Sequence, residues 1–123
     1  MGAVNAETAL AAPLVMLILL TITQFALWSH ATHIAQTAAA QGLSVTRAHS
    51  GTAADGESRA RSTLNQLGDG PLRDATVNAT RTDDTARVEV NGIAASVLPF
   101  LQLRVHAETA GPVERFLSDT AER

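Results

Sequence analysis

The sequence contains no cysteine, no lysine and no tyrosine, and it has few aromatic residues. Without cysteine there is no disulfide framework, no thiolate metal site and no cysteine nucleophile. The aromatic residues are too few for a carbohydrate platform or for a sheet that stacks bases; they are Phe25, Trp28, Phe100 and Phe116. A formal net charge of -3 argues against a nucleic-acid footprint. We therefore expect no nucleic-acid partner.

Signatures of catalysis are also missing. No glycine-rich phosphate loop follows a predicted strand, and neither Ser96 nor Ser118 lies in a glycine-flanked nucleophile elbow. Asp83 and Asp84 occupy a predicted turn, where aspartate is favoured for local hydrogen bonding. The sequence therefore predicts no catalytic residue, no cofactor and no enzymatic activity.

The histidines do not form a metal-ligand pattern. His30 and His33 are one helical turn apart, but no third ligand lies at a fitting spacing and zinc needs three or four. We interpret these two and His49 as interfacial polar residues, and His106 as a solvent-facing strand residue. No metal site is predicted.

One long apolar run, residues 9–28, dominates the chain. As a helix it would extend about 30 Å, which matches the hydrocarbon core of a bilayer, and Trp28 stands where an interfacial aromatic belongs. Pro13 removes a backbone donor near the start of the run, so we expect a helix kink there. Thr21, Thr23 and Gln24 are expected to be satisfied along their own helix or across a helix pair.

Glu7 lies at the edge of this run, where an acidic side chain is an unusual neighbour for a membrane span. Three interpretations of the segment are open. It could be a secretory signal, cut after Ser29-His30-Ala31, although the run is longer than usual and lacks a basic start. It could be an ordinary single-pass anchor. In the third interpretation, cleavage after Gly2 frees the Ala3 ammonium, which pairs with Glu7 of a neighbouring subunit.

The remaining sequence predicts an α+β fold. The first helix continues to about residue 49, ended by Gly51, and a second runs from about 54 to 67, with Thr52 as its cap and Ala60, Leu64 and Leu67 as its apolar stripe. From Asp74 the apolar period becomes two, which predicts three antiparallel strands with one apolar face. The expected inward residues are, by strand, Ala75, Val77 and Ala79; Ala86, Val88 and Val90; and Leu101, Leu103, Val105 and Ala107.

The third strand is expected after an apolar crossing that follows Asn91-Gly92. The predicted division is an N-terminal hydrophobic helix and its extension, residues 1–49, and a small α+β head, residues 50–123. The tail from Val113 is expected to form a short helical turn, and Gly68 to cap the second helix.

The N-terminal motif carries a family resemblance. A glycine, four residues, Glu7 and a long apolar helix resemble the processing signal of type IV pilins and pseudopilins. Glu7 to Pro13, followed by leucine, isoleucine and valine, is more narrowly similar to the TadE-like family of tight-adherence (Flp, type IVc) pilus systems. Thr109 to Phe116 further resembles actinobacterial relatives of that family.

The resemblance implies a function. It implies a pilin-like fold, a prepilin peptidase that cuts between Gly2 and Ala3, and Glu7 as the subunit-pairing charge. Precursors of this kind carry a basic leader, whereas Met1 alone precedes Gly2 here. We expect either that the start is assigned too far downstream or that the sequence begins near the mature end. The implied protein is a pilus subunit, minor by the size of its head, that contacts membrane lipid, other pilin subunits and the platform protein.

The implied location is the cytoplasmic membrane, crossed once with the head outside, and then a cell-surface pilus of the kind used in adhesion. The alternative is a single-pass envelope protein whose small extracytoplasmic head binds a partner. The state of the amino terminus distinguishes the two.

Overall fold

The computed structural model describes residues 2–67, 70–98 and 100–114, and for residues 2–4 the backbone alone. Two helices precede three strands. Their bounds are α1 Gly2–Thr46, α2 Ala53–Leu67, β1 Leu72–Arg81, β2 Thr85–Ala94 and β3 Arg104–Pro112. The predicted α+β fold, with a long apolar N-terminal helix, a short second helix and a three-stranded antiparallel sheet, is confirmed. Gly68, Pro99 and the tail from residue 115 lie outside the described residues.

Helix α1 is a single element of 45 residues that includes Pro13. It ends at Thr46, so the expectation that Gly51 ends it is wrong. The guanidinium of Arg81, on β1, donates to the carbonyl oxygens of Thr46, Ala48 and Gly51 at 2.6, 2.7 and 2.7 Å. One cation bound to several carbonyls at and just after a helix C-terminus stabilises that end, and it fixes the chain direction after α1.

Helix α2 begins as predicted. The Thr52 hydroxyl accepts the backbone N–H of Asp55 at 3.1 Å, which is the N-cap bond. Ala60 and Leu64 are buried as expected, but Leu67 is 48% exposed, so its place in the buried stripe is wrong. The buried side of α2 instead includes Gly56 and Thr63.

The two helices approach closely at a pair of glycines. A Cβ atom on Gly42 would lie 2.9 Å from the Gly56 carbonyl oxygen, and one on Gly56 would lie 1.7 Å from Thr46 Oγ1. The buried Thr46 hydroxyl donates to the Gly42 carbonyl at 2.8 Å. The absence of side chains at both positions therefore lets the α1 and α2 backbones meet directly.

The sheet has the order β1-β2-β3 and both pairs are antiparallel. The register of β1 on β2 shifts between Arg73 and Thr76, at the position where Asp74 has a φ of 53°. This irregularity is a β-bulge, with its aspartate in the left-handed region that this residue type tolerates. The chain before it, from Leu72, still pairs with the end of β2.

The third strand is displaced from the prediction. The inward parity of Val105 and Ala107 is confirmed, but β3 starts at Arg104, after Leu101 and Leu103, and runs to Pro112. Strand β2 also continues through Asn91-Gly92 to Ala94, so the expected end of the strand there is wrong. The described residues between the two strands, 95–98 and 100–103, belong to neither β2 nor β3.

The inner face of the sheet packs against both helices. The core draws residues from α1 and from every later element; its α1 members are Ala31, Ile34, Ala35, Ala38, Ala39 and Leu43. The C-terminal half of α1 thus packs into the same core as α2 and the sheet. The N-terminal half extends beyond it.

Candidate functional surface

The N-terminal half of α1 is apolar and almost fully exposed. Between Asn5 and Thr23 no described side chain is buried. The large exposed hydrophobic residues are Leu10, Leu14, Val15, Met16, Leu17, Ile18, Leu19, Ile22 and Phe25. We call residues 5–23 the free helix; at about 1.5 Å per residue it is roughly 28 Å long.

The free helix has no polar side. Its apolar residues point in every direction around the axis, whereas a helix at the surface of a soluble protein carries an apolar stripe on one side only. An exposed surface of this kind has to be covered by lipid or by protein. By length and composition α1 is long and apolar enough to cross a membrane.

The residues predicted as functional all lie on this helix. Gly2 and Ala3 form its first backbone positions, and Glu7 is exposed one turn after Ala3. Pro13 is inside the helix, six residues after Glu7. Cleavage at Gly2-Ala3, subunit pairing by Glu7 and the kink at Pro13 stay predictions.

Two of the three polar side chains in the apolar run are satisfied as expected. Thr21 and Thr23 donate their hydroxyl protons to the carbonyls four residues earlier, at 2.8 and 2.9 Å. Such bonds leave no hydroxyl unpaired in an apolar environment.

Gln24 does something else. It is only 2% exposed, its amide donates to the Ala95 carbonyl at 3.2 Å, and its amide oxygen accepts the Val97 N–H at 2.9 Å. The expectation that Gln24 is satisfied along its own helix or across a helix pair is wrong. Sequence reasoning missed this contact because it joins residues more than 70 positions apart.

A group of charged side chains occupies the outer face of the sheet. His106 Nε2 lies 4.0 Å from Glu89 Oε1 and 3.6 Å from Glu108 Oε2, and these three residues are close enough to share a cation. The Asn91 side-chain oxygen lies 2.6 Å from His106 Nδ1, and Arg87 pairs with Glu108 at 3.1 Å. Glu89 is half-buried and the others are exposed. Since these side chains contact one another across β2 and β3, cross-strand side-chain pairing explains the group. The predicted outward direction of His106 is confirmed.

Ser96, which the sequence analysis considered as a nucleophile, instead forms hydrogen bonds within a turn. Ser96 Oγ donates to the Leu98 carbonyl and accepts the Leu98 N–H at 3.1 Å. Ser118 lies outside the described residues. His30 and His33 are exposed beside a shallow groove between α1 and the end of α2.

Residues 2–43 match the family described as TadE-like protein, which confirms the resemblance inferred from the Glu7 motif. No curated protein and no solved structure gives a match. The matched segment contains the whole free helix and most of the second half of α1, which packs into the core. Because the TadE-like family is a pilus structural family and not an enzyme family, the match and the long apolar helix together fit a pilus-related, membrane-anchored protein.

Proposed function

We propose, from the match of residues 2–43 to TadE-like proteins, that the chain is a pilin-like minor subunit of a tight-adherence type IV pilus. One observation supports this most directly. The same helix is bare and apolar on all sides over its first half and packed into the head over its second half. Such a helix serves as an anchor in lipid and as a packing element in a filament.

The two environments make the same demand on the free helix. In lipid every polar group has to be satisfied within the segment, and the Thr21 and Thr23 hydroxyls meet that demand. In a bundle of subunits the same surface packs by close contact between apolar side chains. Assembly then moves the helix from lipid to protein with little change in the apolar area it buries.

Glu7 is the proposed pairing charge. After cleavage between Gly2 and Ala3, the new ammonium and the carboxylate lie one helical turn apart on each subunit. In a stack, Glu7 of one subunit accepts the Ala3 ammonium of the next, and each charge offsets the desolvation cost of the other. The prepilin peptidase and the platform protein are the partners this implies, together with like or unlike pilin subunits.

The proposed topology places the head outside the cytoplasmic membrane and, after assembly, on the cell surface. A minor role rests on the size of the head, which contains α2 and three strands beyond α1. The alternative, a permanently anchored envelope protein whose head binds a partner, requires the same anchor but no cleavage.

The amino terminus tests the choice. Mass spectrometry of protein extracted from membranes is expected to find a chain that starts at Ala3. A chain that retains its residues before Ala3 supports the anchored alternative, and a chain cut after Ala31 removes the free helix and overturns both.

Substitution of Glu7 tests the pairing role. We expect Glu7→Gln to insert in the membrane normally and to be lost from sheared filaments, because the neutral amide leaves the neighbouring ammonium unpaired. Glu7→Asp keeps the charge and is the matched control, with partial incorporation expected. Equal incorporation of Glu7→Gln and the native chain would contradict the pairing role.

A further inference from the structure

The loop between β2 and β3 is hydrogen-bonded to α1 near the end of the apolar run. We call the described residues 95–98 and 100–101 the basal loop. Gln24 holds it by two hydrogen bonds, to the Ala95 carbonyl and from the Val97 N–H. The indole N–H of Trp28 donates to the Arg104 carbonyl at 3.2 Å, just beyond the loop. The loop is thus fixed to the last turns of the apolar run.

This attachment places the loop at the depth of the span. Gln24 precedes Trp28 by four residues, or about 6 Å along the helix axis, and both belong to the apolar run 9–28. Trp28 has the position of an interfacial aromatic. If α1 crosses a bilayer with Trp28 at its boundary, the loop held by Gln24 lies at or below that boundary.

The composition of the loop suits that depth. No charged residue occurs from Gly92 to Leu103. Phe100 is 80% exposed and Val97 is 39% exposed, whereas Leu98 between them is buried. Phe25, 65% exposed on α1, adds apolar surface near the same height. An exposed phenylalanine in a charge-free segment is the pattern of a side chain that enters a lipid interface.

Hydrogen bonds made by the backbone of the loop reduce the free-energy cost of moving it out of water. Ser96 satisfies the N–H and carbonyl of Leu98, the Leu101 N–H donates to the Leu98 carbonyl at 3.0 Å, and the Ala95 N–H donates to the Pro71 carbonyl at 2.8 Å. Backbone groups paired in this way can approach hydrocarbon without a large desolvation penalty.

We propose that the basal loop inserts Phe100 and Val97 into the headgroup–acyl boundary of the membrane that α1 spans. The head then rests on the bilayer through this loop and does not stand clear of it. The proposal goes beyond pilus assembly: it requires that α1 is a membrane anchor, and it holds whether or not the chain is cut after Gly2.

The cysteine-free sequence makes the test direct, since single cysteines can be introduced at Phe100, Phe25 and Asn78 without a background thiol. Each variant of the full chain carries a nitroxide label in nanodiscs of phosphatidylcholine and phosphatidylglycerol, one copy per disc. The measurement is the accessibility of the label to oxygen, which concentrates in lipid, relative to a water-soluble nickel chelate. Asn78 is exposed on the outer face of β1 and serves as the water-side control.

We expect the oxygen-to-nickel ratio at Phe100→Cys to be several-fold above that at Asn78→Cys and close to that at Phe25→Cys. In a second variant the label is at Val97→Cys and Phe100 is replaced by aspartate. The oxygen-to-nickel ratio at position 97 is expected to be lower than in the same labelled chain with Phe100, because a carboxylate resists insertion. Water-like accessibility at position 100 overturns the proposal. Protection at position 100 only in discs with two copies also overturns it, since a second chain would then cover the loop.

Discussion

At the scale of single residues, Gly56 shows how two opposite effects of one methyl group are weighed. Glycine inside a helix is worse than alanine by up to about 1 kcal/mol, because it loses more backbone entropy on folding. In α2, however, the added Cβ would lie 1.7 Å from Thr46 Oγ1, a buried hydroxyl that bonds the Gly42 carbonyl. The steric conflict outweighs the gain in helix propensity.

We therefore expect Gly56→Ala to lower the free energy of unfolding by about 1–3 kcal/mol, the usual cost of overpacking a close contact. Ser58→Ala is the matched control in the same helix, exposed to solvent and expected to change stability by less than about 0.5 kcal/mol. Urea unfolding of the full chain in a mild detergent, followed by circular dichroism, measures both. If Gly56→Ala is as stable as the native chain, the helices are not in the close contact described.

At the scale of secondary-structure elements, Gln24 connects α1 to the basal loop. The residue is polar in an apolar run, and hydrophobicity alone would favour leucine at that position. The structure favours glutamine, because its removal leaves the Ala95 carbonyl and the Val97 N–H without their partner. An unsatisfied buried polar group costs about 1–3 kcal/mol.

We expect Gln24→Leu to loosen the basal loop while α1 stays helical. Hydrogen exchange at the Val97 amide should become about 5- to 150-fold faster, which is the rate equivalent of that cost. Thr23→Val is the control one residue away, since the Thr23 hydroxyl bonds only its own helix among the contacts described. Equal exchange at Val97 in both variants would show that Gln24 does not hold the loop.

These elements also show what sequence patterns can predict. The α2 cap at Thr52 and the alternation of Val88 and Val90 are local signals, and the structure confirms them. Apolar alternation reports which side a residue faces but not where pairing starts. Leu101 and Leu103 share the parity of Val105, yet they precede β3. The chain turns before them, where the Leu101 N–H donates to the Leu98 carbonyl.

Contacts between distant segments left no sequence signal. Arg81 looks like any surface arginine in an alternating strand, yet it binds carbonyls at and after the end of α1, 30 to 35 residues earlier. Gln24 was expected to bond within its own helix or to a neighbouring helix, and its partners are in the basal loop. The candidate functional positions, Gly2, Ala3, Glu7 and Pro13, could be named from the sequence because their motif is contiguous. The structure adds the exposed apolar surface around Glu7 and Pro13.

At the scale of the whole molecule, one helix supplies both the free helix and part of the core. The sequence predicted a division at residues 49 and 50, and core residues come from both sides of it. On α1, the described buried side chains begin at Gln24. We infer that the smallest folding unit starts near Gln24 and includes the second half of α1.

Two fragments test this inference. Residues 23–123 keep every buried α1 position described here, so we expect a soluble fragment with one cooperative thermal transition. Residues 50–123 lack Ile34 and Leu43, each worth about 1.5–3 kcal/mol when buried, together with the alanines beside them. This shorter fragment should show no cooperative transition by calorimetry. A cooperative transition in residues 50–123 would support the division at residue 49.

The unbroken course of α1 also gives the molecule a fixed angle. Helix α1 is continuous from the free helix to the head. The number of residues before Gln24 therefore sets the direction in which the sheet faces, measured around the helix axis from the start of α1. One residue inserted between Ile22 and Thr23 would turn the head by about 100° about the helix axis and raise it by about 1.5 Å. Seven inserted residues, close to two turns, would restore the direction to within about 20°. The length of the free helix therefore also sets the orientation of the head about the helix axis. Two packed copies of the chain would present the same face only if this length is the same in both.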